Sequence, residues 1–184
     1  MTGNFSVVEW TALNESITVR KIDWSDPDDA LIAIELLDEY SHHPMGDSGP
    51  LRPSVLSRLR NLMLNQQDAC ALVAFDETQT AVGLAVCLPS LSTFKAALRI
   101  NIHDLFVRPD SRHQGVGQRL LQAAADEARQ RGACAVTLEV RADNKAACQL
   151  YSSFGFTGIG QPTPPLVPGD DPVYFFGTLL IETS

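Results

Sequence analysis

Apolar positions along this chain follow two periods, and the changes between them mark out its elements. Residues 16–22 alternate, with Ile17, Val19 and less clearly Ile22 apolar among polar neighbours, and predict a first strand. Ser25-Asp26-Pro27 is a helix-start signal, and Leu31, Ile34 and Leu37 follow at helical spacing to about Tyr40. Pro44, Gly46, Gly49 and Pro50 make residues 41–50 a loop. A second helix over 53–64 puts Leu56, Leu59, Leu62 and Met63 on one side. Residues 70–75 and 82–88 are short apolar runs around a polar turn, which read as two antiparallel strands. A polar link over 90–95 leads to another strand, 98–107, which Arg108-Pro109 ends.

Residues 115–131 form an amphipathic pattern, with Val116, Leu120, Leu121, Ala124 and Ala128 on one face and Gly132 as the C-terminal stop. A strand rich in Val, Thr and Leu follows over 133–140. Asp143 or Asn144 caps a further helix whose apolar face is Ala147, Leu150, Tyr151 and Phe154, closed by Gly155. The Pro- and Gly-rich loop 158–172 is long enough to act as a lid or substrate-contacting segment. Residues 173–181 are a last strand. Residues 1–15 show no apolar period and read as partly disordered. The order is β, α, α, β, β, β, α, β, α, β, with no repeat, linker or boundary, so residues 1–184 are expected to form a single domain.

The formal charge is −8, from 14 Lys plus Arg against 22 Asp plus Glu. Such a surface repels nucleic acid and anionic membrane, so neither is expected as a partner. It is compatible with a cationic amine, although solubility alone accounts for it equally well. Cys70, Cys87, Cys134 and Cys148 sit among apolar or small neighbours without a C-x-x-C pair, and read as buried or semi-buried thiols. His42-His43 is a paired motif, but no further ligand spacing completes a metal site, so no metal is expected. No signal peptide and no run of about 20 apolar residues is visible, which makes the cytoplasm the simplest location.

The strongest local feature is strand, turn, helix: Leu105-Phe106-Val107, then Arg112-His113-Gln114-Gly115-Val116-Gly117 opening the helix. A helix start offers unpaired N–H groups and a positive dipole end. Gly115 and Gly117 let an anion approach the backbone, and Arg112 adds a rim charge; together they make a diphosphate cradle. A dinucleotide-binding turn fits poorly, because Leu120 stands where its third glycine belongs and the motif comes late in the chain. No Gly-Lys-Ser/Thr follows, which excludes a P-loop.

Arg112-x-x-Gly115-x-Gly117 after Leu105-Phe106-Val107-Arg108-Pro109 resembles motif A of the GNAT acyltransferases. Residues 138–144 (LEVRADN), with Ala147, Leu150-Tyr151 and Gly155-Phe156, resemble their motif B. The likeness covers about residues 80–160 strongly and the remainder by element order. It implies an α/β domain with a mixed, mostly antiparallel sheet, about four flanking helices, and strands that splay at the cofactor cleft. It also implies acetyl-CoA as cosubstrate, its pantetheine arm held by the backbone near Leu105, Phe106 and Val107 and by Asn144, with Tyr151 beside the thioester sulfur. A homodimer is common among similar proteins.

The activity so implied is acetyl transfer to a primary amine of a small molecule by direct attack. The amine must lose a proton, the oxyanion needs donors, and the leaving thiolate needs an acid. Tyr151 is the candidate acid. The base stays open between Glu139, whose pairing with Tyr151 is similar to that in ribosomal-protein N-terminal acetyltransferases, and Asp104, with His103 beside it. Strand alternation keeps His103 and Asp104 from both facing the cleft unless a bulge intervenes. Phe94, Phe175 and Phe176 are candidate pocket walls. Transfer to a protein N-terminus or lysine, and a non-catalytic acyl-CoA-binding module, are the alternatives.

Overall fold

The computed structural model of the chain describes residues 16–46, 49–66, 68–160 and 174–181. The expected disorder of 1–15 and most of the long loop 158–172 lie outside these residues. Among the described residues, six strands form one sheet in chain order: β1 (Thr18–Lys21), β2 (Cys70–Phe75), β3 (Ala81–Ser92), β4 (Ala97–Val107), β5 (Ala135–Arg141) and β6 (Tyr174–Leu180). β4 and β5 pair in parallel and the other four pairings are antiparallel, which gives the mixed sheet expected from the sequence.

Four α-helices cover the sheet: α1 (Pro27–Ser41), α2 (Pro53–Asn65), α3 (Val116–Gln130) and α4 (Lys145–Phe154). α1 starts where Asp26 accepts the N–H groups of Asp28 and Asp29 at 2.8 and 3.4 Å, with Pro27 in its first turn. Arg20 then grips Asp29 with two hydrogen bonds of 2.7 and 2.6 Å, tying β1 to that helix start. α3 buries Val116, Leu120, Leu121, Ala124, Ala125 and Ala128, the stripe its periodicity predicted with Ala125 added.

The core lies in two layers. One joins α3 and α4 to the sheet through Leu120, Leu121, Ile100, Leu138, Tyr151 and Phe154. The other joins α1 and α2 to the opposite face through Leu36, Met63, Val73, Leu84 and Phe106.

Two sequence expectations need correction. β3 runs on through the predicted polar link to Ser92 and pairs with β4 as far as Ser92–Ala97. Pro89 is tolerated there because β2 flanks β3 only to Cys87, leaving that edge without a ladder to break. On α2, Leu62 is 60% exposed rather than inside. The inward stripe is Val55, Leu59 and Met63, spaced four apart; Leu59 and Met63 pack into the buried layer, and all three also border a cavity.

β4 carries the feature that positions the site. Its register against β3 runs Val86–Asp104 and then Cys87–Ile102, so His103 is an extra residue, a β-bulge. Before the bulge, Ile100 and Ile102 face the α3 layer. After it, Leu105 and Val107 face that layer while Phe106 turns to the α1 and α2 side.

Replacing Leu120, fully buried beneath α3, with alanine is expected to lower stability by about 2–5 kcal/mol. Urea denaturation of the variant checks this, and a loss under ~1 kcal/mol would contradict the packing described.

Candidate active site

β4 and β5 run side by side from Arg99–Ala135 to Ile102–Leu138 and then part. β4 continues to Val107 against β3, and β5 continues to Arg141 against β6, so a gap opens between them. The N–H of Arg108 donates to the Val82 carbonyl at 3.0 Å. By antiparallel alternation, Leu105 and Val107 then turn their own N–H and C=O groups away from β3, into the gap. The Val107 carbonyl accepts Arg112 Nε at 3.2 Å.

The gap is part of a cleft of about 780 Å³. At one end lies the turn into α3. His113 (φ 62°) and Gly115 (φ 83°) both adopt left-handed backbone, which is uncommon for a residue with a side chain and bends the chain into a concave nest of N–H groups. No side chain caps α3, and its first internal bond is Arg119 N–H to Gly115 C=O, so the N–H groups of Val116, Gly117 and Gln118 sit at the bare helix start. Gly117 has a packing reason as well: an added Cβ would stand 2.8 Å from Leu150 Cδ2 of α4. Arg112 Nη2 lies 3.0 Å from His43 Nε2, which brings the His42-His43 loop to this rim. Burial, then the Arg112 charge, lowers the proton affinity of His43.

Of the residues singled out in the sequence, Leu105, Phe106, Val107, Arg112 and His113 line this cleft, as do Gly115, Val116, Gly117, Glu139, Asn144 and Tyr151. Gln114 does not; its side chain donates to the Asp110 carbonyl at 2.9 Å, bracing the turn. Asn144 Oδ1 accepts the Ala147 N–H at 3.2 Å as the cap of α4, and its NH2 group makes no hydrogen bond to a described residue. Phe94 is fully exposed at the β3–β4 turn, and neither Phe175 nor Phe176 lines the cleft, so the three aromatic walls expected from the sequence are not walls here.

Tyr151 is buried on α4 against Phe156, with ring centroids 5.8 Å apart. Its hydroxyl hydrogen-bonds to no described residue. Burial, with Tyr40 and Cys148 nearby, pushes its pKa well above the usual phenol value, so the hydroxyl keeps its proton. Glu139 is exposed on β5 and accepts Asn101 Nδ2 at 3.2 Å. Asp104 lies on the other side of β4, in a second cavity. Burial raises its pKa, and neighbouring His103 partly offsets this. The bulge is the exception that the alternation argument allowed for: it lets both residues border the second cavity, while His103 alone of the two also borders the cleft. Sequence reasoning missed Tyr40, which lines both cavities and stacks on Phe106 at 5.6 Å. Its only signal was helical phase, which reads as core. Among the described residues no cluster of three potential metal ligands occurs, and no helix is long and apolar enough to cross a membrane.

A family model for the acetyltransferase (GNAT) family matches residues 28–156, well over half of the chain. The chain belongs to the GNAT family. An uncharacterised N-acetyltransferase of Bacillus subtilis is 34% identical over 93 residues, half of this chain and 62% of the relative. The alanine N-acetyltransferase of ribosomal protein bS18 from Escherichia coli is 46% identical over 55 residues, 30% of this chain and 37% of that enzyme. The matched stretches thus span less than two thirds of these relatives. Among solved structures, a spermidine N-acetyltransferase of Vibrio cholerae in complex with CoA and spermine superposes with a TM-score of 0.69 at 16% identity, covering 91% of this chain and 97% of the other. At that identity the likeness is one of overall fold.

The raised pKa of Asp104 has a stability consequence. The folded state binds its proton more tightly than the unfolded chain does, so ionisation costs folding energy once the pH passes the ordinary carboxyl range, and no cost remains below it. The stability of Asp104→Asn relative to the parent is therefore expected to rise as pH goes from about 4 to about 7. Urea midpoints across that range test this, and a difference independent of pH would contradict it.

Proposed function

We propose that this GNAT protein is an N-acetyltransferase that moves an acetyl group from acetyl-CoA to the primary amine of a small molecule. The observation that carries the reading is the union, in one cleft, of an unpaired strand edge, an uncapped helix start and a protonated buried tyrosine. The diphosphate of CoA is suited to the nest at His113–Gly115 and the N–H groups of Val116 and Gly117, with Arg112 at the rim. The amide-bearing pantetheine arm is suited to the cleft-facing groups of Leu105 and to the Val107 N–H, the Val107 carbonyl being shared with Arg112 Nε, and to the Asn144 side chain at the start of α4. This leads the thioester toward Tyr151.

The reaction needs no covalent enzyme intermediate. An amine nitrogen bonds to the thioester carbonyl carbon, and the carbon–sulfur bond breaks. Tyr151 gives its proton to the departing sulfur and is reprotonated through solvent. One ammonium proton leaves before attack and one after it, so amide, thiol and one proton are the net products. A backbone N–H of the β4 edge supports the oxyanion. For the base, Asp104 is preferred to Glu139. A buried carboxyl with raised proton affinity is the better match to a base working near neutral pH. Glu139 is exposed and already accepts Asn101. The identity to the bS18-alanine enzyme supports a second reading, acetylation of a protein N-terminus.

Thiol release from acetyl-CoA with a panel of amines tests the reading. Tyr151→Phe is expected to lower kcat by about 10²–10⁴ while calorimetric affinity for CoA is kept. CoA binding without turnover on any amine would instead indicate a non-catalytic module. Gly115→Ala forces a side chain into left-handed backbone and shifts the nest, and is expected to weaken CoA binding roughly tenfold or more, the worth of one hydrogen bond to a charged group. Unchanged affinity would remove the cradle from the argument. Asp104→Asn is expected to reduce kcat/KM more than Glu139→Gln; the reverse order would make Glu139 the base.

A further inference from the structure

The cavity that holds Asp104 lies between α1, α2 and the sheet and has a volume of about 480 Å³. That is ample for a small organic ligand. Its walls include Trp24, Leu37, Leu59, Met63, Val86 and Leu88. Tyr40, Met45 and His103 border both this cavity and the cofactor cleft, so the two spaces meet at the point where β4 bulges.

The polar inventory of these walls is short. The Ser41 hydroxyl donates to the Asp38 carbonyl at 2.7 Å. The Tyr40 hydroxyl donates to the Met45 carbonyl at 3.2 Å. The Trp24 indole N–H has no partner among the described residues and is closed off from solvent. Asp104 is the only carboxylate among the lining residues, and it makes no hydrogen bond or ion pair with any described residue. His103 at the shared border offsets the cost of burying this carboxylate only in part, and a ligand cation would relieve more of it.

We propose that the acceptor is a compact hydrophobic primary amine, of the alkylamine or arylalkylamine class, with its ammonium at Asp104 and its carbon skeleton in this second cavity. The proposal rests on the reading of the first cavity as the acetyl-CoA cleft. One anionic point followed by apolar wall selects one cation followed by apolar body. The second and third ammonium groups of a polyamine would enter the apolar walls without partners, and so would the hydroxyls of an amino sugar. A free amino acid would bring its carboxylate close to Asp104. The amine at Asp104 stands near the shared border with the cleft, on the side where Tyr40 neighbours Tyr151. The formal charge of −8 favours arrival of a cation.

The test is a graded series of n-alkylamines and phenylalkylamines, compared with spermidine, a free amino acid and a peptide beginning with alanine, at saturating acetyl-CoA. Expected is a rise in kcat/KM of about fourfold per added methylene until the cavity is full. Leu59→Phe, which fills part of the space from α2, is expected to move the preferred chain length to shorter amines. Activity independent of apolar size, or a preference for spermidine, the amino acid or the peptide, would overturn the proposal. Calorimetry with CoA alone separates the two levels: failure to bind CoA sinks the acetyltransferase reading, whereas CoA binding with the wrong amine preference sinks only the acceptor class.

Discussion

Everything functional in this molecule depends on where two neighbouring strands stop sharing hydrogen bonds. β4 and β5 hold each other for four residue pairs and then separate after Ile102 and Leu138. A sheet interior has no reason to leave its N–H and C=O groups unpaired, since each buried orphan costs about 1–3 kcal/mol. A gap in the middle of a six-stranded sheet is therefore stable only if water or a ligand occupies it. The edge of Leu105 and Val107 is an amide ladder awaiting a strand-like partner, which is what a chain of amides and methylenes supplies. The sheet keeps its integrity around the gap because β3 pairs with β4 along its whole length on one side, and β6 does the same for β5 on the other.

The bulge at His103 converts that gap into two connected spaces. With unbroken alternation, Ile100, Ile102, Asp104 and Phe106 would all point beneath α3. There Asp104 would meet Leu120 and Leu121 in a layer with no polar partner. One extra residue reverses the phase. Asp104 then faces the thinner layer under α1 and α2, where α2 presents only Val55, Leu59 and Met63 and leaves room. The same reversal lets Leu105 and Val107 pack against the α3 layer while their backbone lines the cleft. A single insertion thus places a carboxylate, an open backbone edge and a hydrophobic seal within a few residues of one another.

Much of this was readable in the sequence, for reasons that can be named. α3 was legible because five small or aliphatic side chains recur at helical period and Gly132 stops them. The cradle was legible because a strand, a glycine turn and an amphipathic helix leave few alternatives for bare N–H groups. The bulge was legible only as a condition. His103 and Asp104 could share one space only if alternation broke, and nothing in the residues around them says that it does. Register is a property of the pair of strands, and the partner residues Val86 and Cys87 lie sixteen or more positions away. The same limit hid Tyr40, whose phase on α1 matches a core residue, and the exposure of Leu62, which depends on α2 covering a cavity. It also let Phe94 pass for a pocket wall, although it ends at a hairpin tip.

The two cavities answer to different physics, and this bears on how specificity arises in the fold. The first is built from backbone: nest, helix start and strand edge, groups that any sequence with suitable glycines can provide. The second is built from side chains on α1, α2, β3 and β4, with much of its wall coming from the two helices that precede the cofactor motifs. If the first cavity takes the cofactor as proposed, recognition by main chain would leave the second free to change residue by residue without disturbing the cleft. Tyr40 stands at their junction, its ring on Phe106 and its hydroxyl on the Met45 carbonyl. Burial, then the charge of Asp104, raises its pKa. A neutral Tyr40 keeps that hydroxyl bonded to the α1–α2 loop, which fixes the wall common to both spaces. In the proposed reading, Tyr40 would hold the acceptor space in register with the thioester, sharing that border with Met45 and His103.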